Sequence, residues 1–160
     1  MAGQGTGGGP EGPVKGANIL IIEARYYEDI AEELLAGAVA QIEASEATYE
    51  RVAVPGALEI AQVLIMLSDG IYAYDGVVAL GCVIRGETSH YDIVCNNTNH
   101  WLYEVAAETG LPVGNAVLTV DTKEQAMARA RGGMAGKGGD AARACLRLIE
   151  IRRTYEDKQT

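Results

Sequence analysis

The sequence predicts an α/β fold of three αβα layers, one four-stranded parallel sheet covered by helices on both faces. Two near-continuous apolar runs, Asn18-Ile19-Leu20-Ile21-Ile22 and Val77-Val78-Ala79-Leu80-Gly81-Cys82, suit strands buried on both sides. Segments of helical spacing alternate with strand-like runs in the order βαβαβαβαα, and right-handed crossovers then place helices on both faces. Polar and aromatic residues follow the strand ends, where open α/β sheets take their ligands.

Residues 1–16 carry Gly3, Gly5, Gly7, Gly8, Gly9, Pro10, Gly12 and Pro13 and little to bury, so a disordered tail is expected ahead of a single domain over 17–156. Strand one is Asn18–Ile22. Asp29 with Glu32 resembles a capping box, and Ile30, Leu34, Leu35, Ala38 and Ile42 form one apolar stripe, predicting a helix to about residue 44. Tyr49–Val54 is the second strand. Pro55-Gly56 breaks it before an apolar helix over Ala57–Leu67. Val77–Cys82 is strand three, a helix runs from His90 to about Thr109, and Pro112–Thr119 supplies strand four. Two helices close the chain, about Thr122–Ala130 and Lys137–Thr154, the second with Ala141, Cys145, Leu148 and Ile149 as its buried stripe.

With 160 residues, 48% of them hydrophobic, the chain can form one compact domain with a substantial core. Its net charge of −9 is relieved by no Lys/Arg cluster, which argues against a nucleic-acid or anionic-membrane partner. Cys82, Cys95 and Cys145 are odd in number and widely spaced, so neither a disulfide framework nor a structural zinc is expected. No apolar run approaches the ~18–20 residues that span a bilayer, and the N-terminus lacks a secretory pattern. The expectation is a cytoplasmic protein without a metal.

Four strand ends converge on one edge of the sheet: Glu23-Ala24-Arg25-Tyr26-Tyr27, Val54-Pro55-Gly56-Ala57-Leu58-Glu59, Val83–Asp92 and Thr119-Val120-Asp121. Together they offer an aromatic surface, backbone N–H groups at helix N-termini and a histidine. That set suits a planar polar ring and a phosphate.

Three stretches carry a resemblance: Val54-Pro55-Gly56-Ala57-Leu58-Glu59-Ile60, Leu80-Gly81-Cys82-Val83-Ile84-Arg85-Gly86-Glu87-Thr88-Ser89-His90-Tyr91-Asp92, and Glu124-Gln125-Ala126-Met127-Ala128-Arg129-Ala130. They resemble, in order and spacing from Asn18 to about Arg153, the signature stretches of 6,7-dimethyl-8-ribityllumazine synthases. Glu-Ala-Arg-Tyr-Tyr and Leu-Pro-Val-Gly-Asn-Ala-Val-Leu-Thr are most similar to the alphaproteobacterial, pentamer-forming branch. The resemblance implies a flavodoxin-like lumazine synthase fold, a cofactor-free transferase of riboflavin biosynthesis, and a homopentamer or larger shell. The reaction it implies condenses 5-amino-6-(D-ribitylamino)uracil with 3,4-dihydroxy-2-butanone 4-phosphate. A structural pentamer or shell component that keeps the fold and binds a flavin-like ligand is the alternative.

By the same mapping His90 moves protons, Tyr26 stacks on the pyrimidine, with its neighbour Tyr27 as the competing aromatic, and Ala57, Leu58 and Glu59 hold the ribityl chain. Val83 and Ile84 meet the ring through backbone groups, and Asn115 reaches the pocket from a neighbouring subunit. Gly86, Glu87 and Thr88 cradle the phosphate, Glu87 through its backbone, with Arg129 pairing across a subunit boundary. Lys137 is expected to assist the phosphate or to cap the helix start through its stem, the first being favoured because a cation at a helix N-terminus is electrostatically unfavourable. The chain departs from the family at Ala61, where Pro is frequent, and over 95–103, where Asn96, Asn97, Asn99, His100, Trp101 and Tyr103 replace smaller residues. That stretch and the apolar 64–74 region suggest a further protein interface, native or engineered.

Overall fold

The computed structural model describes residues 8–67 and 70–160. Four strands, β1 (Asn18–Ala24), β2 (Thr48–Val54), β3 (Gly76–Ile84) and β4 (Val113–Val120), form one parallel sheet in the order β2-β1-β3-β4. Five helices connect or follow them: α1 (Glu28–Ala44), α2 (Ile60–Met66), α3 (His90–Thr109), α4 (Lys123–Ala130) and α5 (Lys137–Gln159). Successive strand residues face opposite sides. Ile19 and Ile21 of β1 therefore pack with Leu34 and Ala38 of α1 and Cys145 and Leu146 of α5, whereas Leu20 and Ile22 pack with Ile60 and Leu64 of α2 and Leu102 of α3. Each fully buried Leu or Ile contributes about 1.5–3 kcal/mol, and both faces of the sheet are covered. The three-layer arrangement follows.

Several boundaries differ from expectation for physical reasons. The capping box expected at Asp29 and Glu32 does not form: α1 has Tyr27 at its N-cap with no side-chain cap, and Asp29 Oδ1 instead accepts from the neighbouring Ile30 N–H at 3.0 Å. The reciprocal box sits at α4, where Thr122 Oγ1 accepts from Gln125 N–H at 3.2 Å and the Gln125 side chain accepts from Thr122 N–H at 3.3 Å. β3 runs two residues past Cys82, because Val83 and Ile84 find partners in Thr119 and Val120 of β4. The expected helix over Ala57–Leu67 opens with a 3₁₀ turn, Ala57–Glu59. α5 continues to Gln159, beyond its apolar stripe, through exposed residues of good helix propensity. α3 ends where Gly110 takes a left-handed conformation, φ 68°.

The expected tail is described only from Gly8 onward; its residues 1–7, and positions 68 and 69 of the 64–74 stretch, lie outside the described residues. Residues 11–16 are tied to the domain. Val14 is buried in the α1/α5 core, Gly16 N–H donates to Glu46 C=O at 3.0 Å, and Glu11 N–H donates to the Glu150 carboxylate at 3.1 Å. Glycine content concealed this single apolar anchor.

α1 and α5 approach closely through Gly138, where an added Cβ would lie 1.9 Å from Leu34 C=O. Gly138→Ala should therefore lower stability by about 1–3 kcal/mol, despite the helix propensity gained, because backbone must shift to admit the methyl group. A urea titration reads the change, and a midpoint at or above that of the parent would contradict the packing described.

Candidate active site

The carboxyl ends of β1, β2 and β3 open into a cleft of about 450 Å³. Its first wall is the β1–α1 turn. Tyr26 is 74% exposed, while its neighbour Tyr27 packs against the α1/α5 core and meets the Tyr26 ring edge-on at 4.9 Å. Burial raises the Tyr27 phenol above its ordinary value, so the hydroxyl stays protonated at neutral pH. Of the two aromatics, Tyr26 is the one with a free face.

The second wall is the turn after β2. Pro55 and Gly56 end the strand, and the single turn Ala57–Glu59 presents Leu58 and Glu59 to the cleft, with Ala57 buried below them. The Arg25 N–H donates to Val54 C=O at 3.0 Å, so the first two walls are joined by backbone.

The third wall is the end of β3 and the loop into α3. Val83 and Ile84 line the cleft from the strand, Gly86 and Thr88 from the loop, and His90 from the first residue of α3. Thr88 Oγ1 accepts from His90 N–H at 3.4 Å, and no side chain caps α3 at its Ser89 N-cap. The amino end of α3 therefore presents positive dipole and backbone N–H groups beside the loop. Arg85 braces the loop from outside: its backbone N–H donates to Val120 C=O at 2.8 Å, and its guanidinium lies 2.9 Å from Asp121 and 4.2 Å from the Tyr91 ring centroid.

Nine of the residues singled out in sequence thus meet here: Tyr26, Ala57, Leu58, Glu59, Val83, Ile84, Gly86, Thr88 and His90. Glu87, Asn115, Arg129 and Lys137 do not line the cleft of their own chain. Asn115 lies midway along β4 opposite Ala79, its carboxamide donating to Asn99 Oδ1 at 2.8 Å and accepting from Val117 N–H at 2.9 Å. Arg129 is exposed on α4 and donates to Gln125 C=O at 3.0 Å, one turn back. Lys137 pairs with Asp140 at 3.2 Å at the start of α5.

Tyr27, the rival of Tyr26 in the sequence, also lines the cleft; sequence reasoning missed Cys82, Tyr91 and Val94. Helical spacing could have found Val94, which follows His90 by four positions on α3, but not Tyr91, one position on. Cys82 is no nucleophile: burial, with Asp29 nearby, pushes its thiol up to about 11, leaving it neutral near pH 7.

A buried ion cluster lies behind the first wall. Glu23, 1% exposed on β1, accepts from Arg51 Nε at 2.9 Å and Arg51 Nη2 at 3.0 Å, and also from Arg25. Burial pushes its carboxyl up, but the hydrogen bonds and charges of Arg51 and Arg25 outweigh that and hold it below its ordinary value. The resulting stability is present above the unfolded carboxylate's pKa and is lost as pH falls through the folded one.

A family model described as 6,7-dimethyl-8-ribityllumazine synthase matches residues 16–153. The chain is 55% identical to the 6,7-dimethyl-8-ribityllumazine synthase of Methylobacterium radiotolerans over 139 residues, 86% of this chain and 84% of the relative. It is 49% identical to that of Agrobacterium fabrum, covering 85% of this chain and 95% of the relative. It is 47% identical to 6,7-dimethyl-8-ribityllumazine synthase 1 of Rhodopseudomonas palustris, covering 88% of each. With the family model matched over residues 16–153 and relatives about half identical over most of its length, the chain belongs to the 6,7-dimethyl-8-ribityllumazine synthase family.

Proposed function

We propose that the cleft condenses 5-amino-6-(D-ribitylamino)uracil with 3,4-dihydroxy-2-butanone 4-phosphate to give 6,7-dimethyl-8-ribityllumazine, phosphate and water. The observation that carries this reading is the convergence of Tyr26, the Ala57–Glu59 turn, Gly86, Thr88 and His90 on one cleft, in a chain about half identical to proteins of that name. The exposed Tyr26 face takes the pyrimidine, Ala57, Leu58 and Glu59 take the ribityl hydroxyls, and the Val83 and Ile84 backbone meets the ring edge. Gly86, Glu87 and Thr88, at the amino end of α3, take the phosphate.

The chemistry consists of imine formation between the amine and the ketone, elimination of phosphate and ring closure. Each step moves a proton, and the His90 imidazole, which carries both a donor and an acceptor nitrogen when neutral, is the lining side chain suited to that work. Among the described residues that line the cleft, His90 is the one imidazole and Glu59 the one carboxylate. No organic or metal cofactor is required by these steps.

Neither Lys nor Arg is among the described residues lining the cleft. A phosphate dianion taken out of water requires a cation, so the reading places Arg129 and Lys137 of a second copy at the phosphate, with Asn115 of that copy beside the ring. A homo-oligomer is thereby implied, and we take it to be a pentamer. The exposed Ile65, Met66 and Tyr72 near α2 and Ile93, Trp101 and Tyr103 on α3 supply apolar surface for contact between copies. These are the two stretches in which sequence pointed to an interface. A cytoplasmic location fits the free cysteines, and no helix among the described residues is long and apolar enough to cross a membrane.

His90→Ala should lower kcat by about 10²–10⁴-fold in a steady-state assay of lumazine absorbance and phosphate release. No product from the parent at saturating substrates would refute the enzyme reading. Arg129→Ala should raise KM for the phosphate substrate roughly tenfold or more and leave KM for the pyrimidine nearly unchanged, because only one substrate carries the anion. Equal losses for both would contradict the assignment.

A further inference from the structure

Tyr26 has almost no packing of its own. Its ring is 74% exposed and touches Tyr27 at its edge, so its direction is set by the backbone that carries it. That backbone is the two-residue passage between the Arg25 position and the first turn of α1, and α1 begins there without a side-chain cap. Tyr27 anchors the far end of the passage in the α1/α5 core, and the residue at its near end is Arg25.

The Arg25 side chain is 17% exposed and bonded to three carboxylates. It donates to Glu23 on β1, to Glu28 Oε2 through Nε at 3.0 Å and Nη2 at 2.6 Å, and to Glu32 one turn further along α1. Glu23 in turn holds Arg51 of β2, and the Arg25 N–H holds Val54 C=O at the foot of the second wall. One guanidinium therefore ties the end of β1 to the start of α1, and its backbone ties both to the turn that carries Pro55, Gly56 and Ala57. The fork geometry of Arg serves this because its five donors are fixed in one plane.

We infer that Arg25 is a positioning residue: it holds the β1–α1 passage so that Tyr26 presents its ring to the cleft before substrate arrives. The inference rests on the reading of Tyr26 as the residue that stacks on the pyrimidine. Arg25 does not line the cleft and touches no reacting atom. Its contribution is preorganisation, which spares the cost of ordering the passage and the ring on binding.

The test is a pair of variants, Arg25→Met and Arg25→Lys, with Glu32→Gln as an exposed control that removes only one arm of the cluster. With Arg25→Met, KM for the ribitylaminouracil substrate should rise roughly three- to tenfold, while kcat and KM for the phosphate substrate stay within about twofold. Arg25→Lys, which keeps a cation beside Glu23 but loses the planar fork, should recover only a minor part of the loss, and Glu32→Gln should change little. A pyrimidine KM unaltered in Arg25→Met, or a parallel rise in both KM values, would overturn the inference.

Amide hydrogen exchange without substrate reads the same device independently of turnover. Residues 25–29 and 54–57 should exchange faster in Arg25→Met than in the parent, with the buried β3 segment 77–82 unchanged. Equal acceleration in both regions, or none, would overturn the positioning role. An inactive parent whose passage still loosens in Arg25→Met would refute the proposed reaction and leave the positioning role standing.

Discussion

Parallel pairing of strands that must be covered on both faces is the constraint on which the rest depends. β1 and β3 are apolar along almost their whole length because helices lie above and below them, and polar groups can appear only where the strands stop. All four strands run the same way, so the stopping points fall on one edge. Tyr26, Glu59 and His90 come from three separate crossovers, yet they share one cleft because each follows the carboxyl end of its own strand.

Glu23 is the exception within β1. Its carboxylate lies where another apolar residue would otherwise continue the run, and Arg51 and Arg25 offset the cost of burying it. A buried ion cluster adds little stability over a well-packed apolar substitute, but it constrains direction. Here the constrained parts are the β1–α1 passage and the turn after β2, which together form two walls of the cleft. The third wall has its own brace in Arg85, exposed and bonded to Asp121 at the end of β4. Backbone at the carboxyl edge is thus held by arginines that keep out of the cleft.

The sheet and its parallel sense were legible in the alternation of strand-like and helix-like segments, and α1 and α5 in their apolar stripes. So were the cleft residues that follow strand ends, from Tyr26 to His90. What could not be read depended on tertiary partners. Asp29 and Glu32 have the spacing of a capping box, but Glu32 is taken by Arg25 and Asp29 by Lys123, at 2.8 Å. Val83 and Ile84 continue β3 because β4 is there to pair with them. Val14 is one apolar residue among glycines, and only the α1/α5 core reveals it as an anchor. Cys82 and Tyr91 bear no chemical signal as cleft residues until strand and helix are placed side by side. Arg129, Lys137 and Asn115 were drawn to the site by family resemblance alone, and within one chain they lie outside the cleft.

The cleft therefore has its aromatic surface, its backbone donors and its histidine, but lacks the cation its phosphate substrate demands. The central claim is that a second copy supplies it. Subunit complementation tests this most directly: His90→Ala and Arg129→Ala are unfolded together and refolded as a mixture, and turnover is measured at a phosphate-substrate concentration well below the raised KM of Arg129→Ala, where each variant alone is slow. If His90 of one copy works with Arg129 of another, activity returns, with about a quarter of the sites carrying both intact groups when equal amounts assort at random. A mixture no more active than the two variants measured separately, despite confirmed co-assembly, would contradict the shared site.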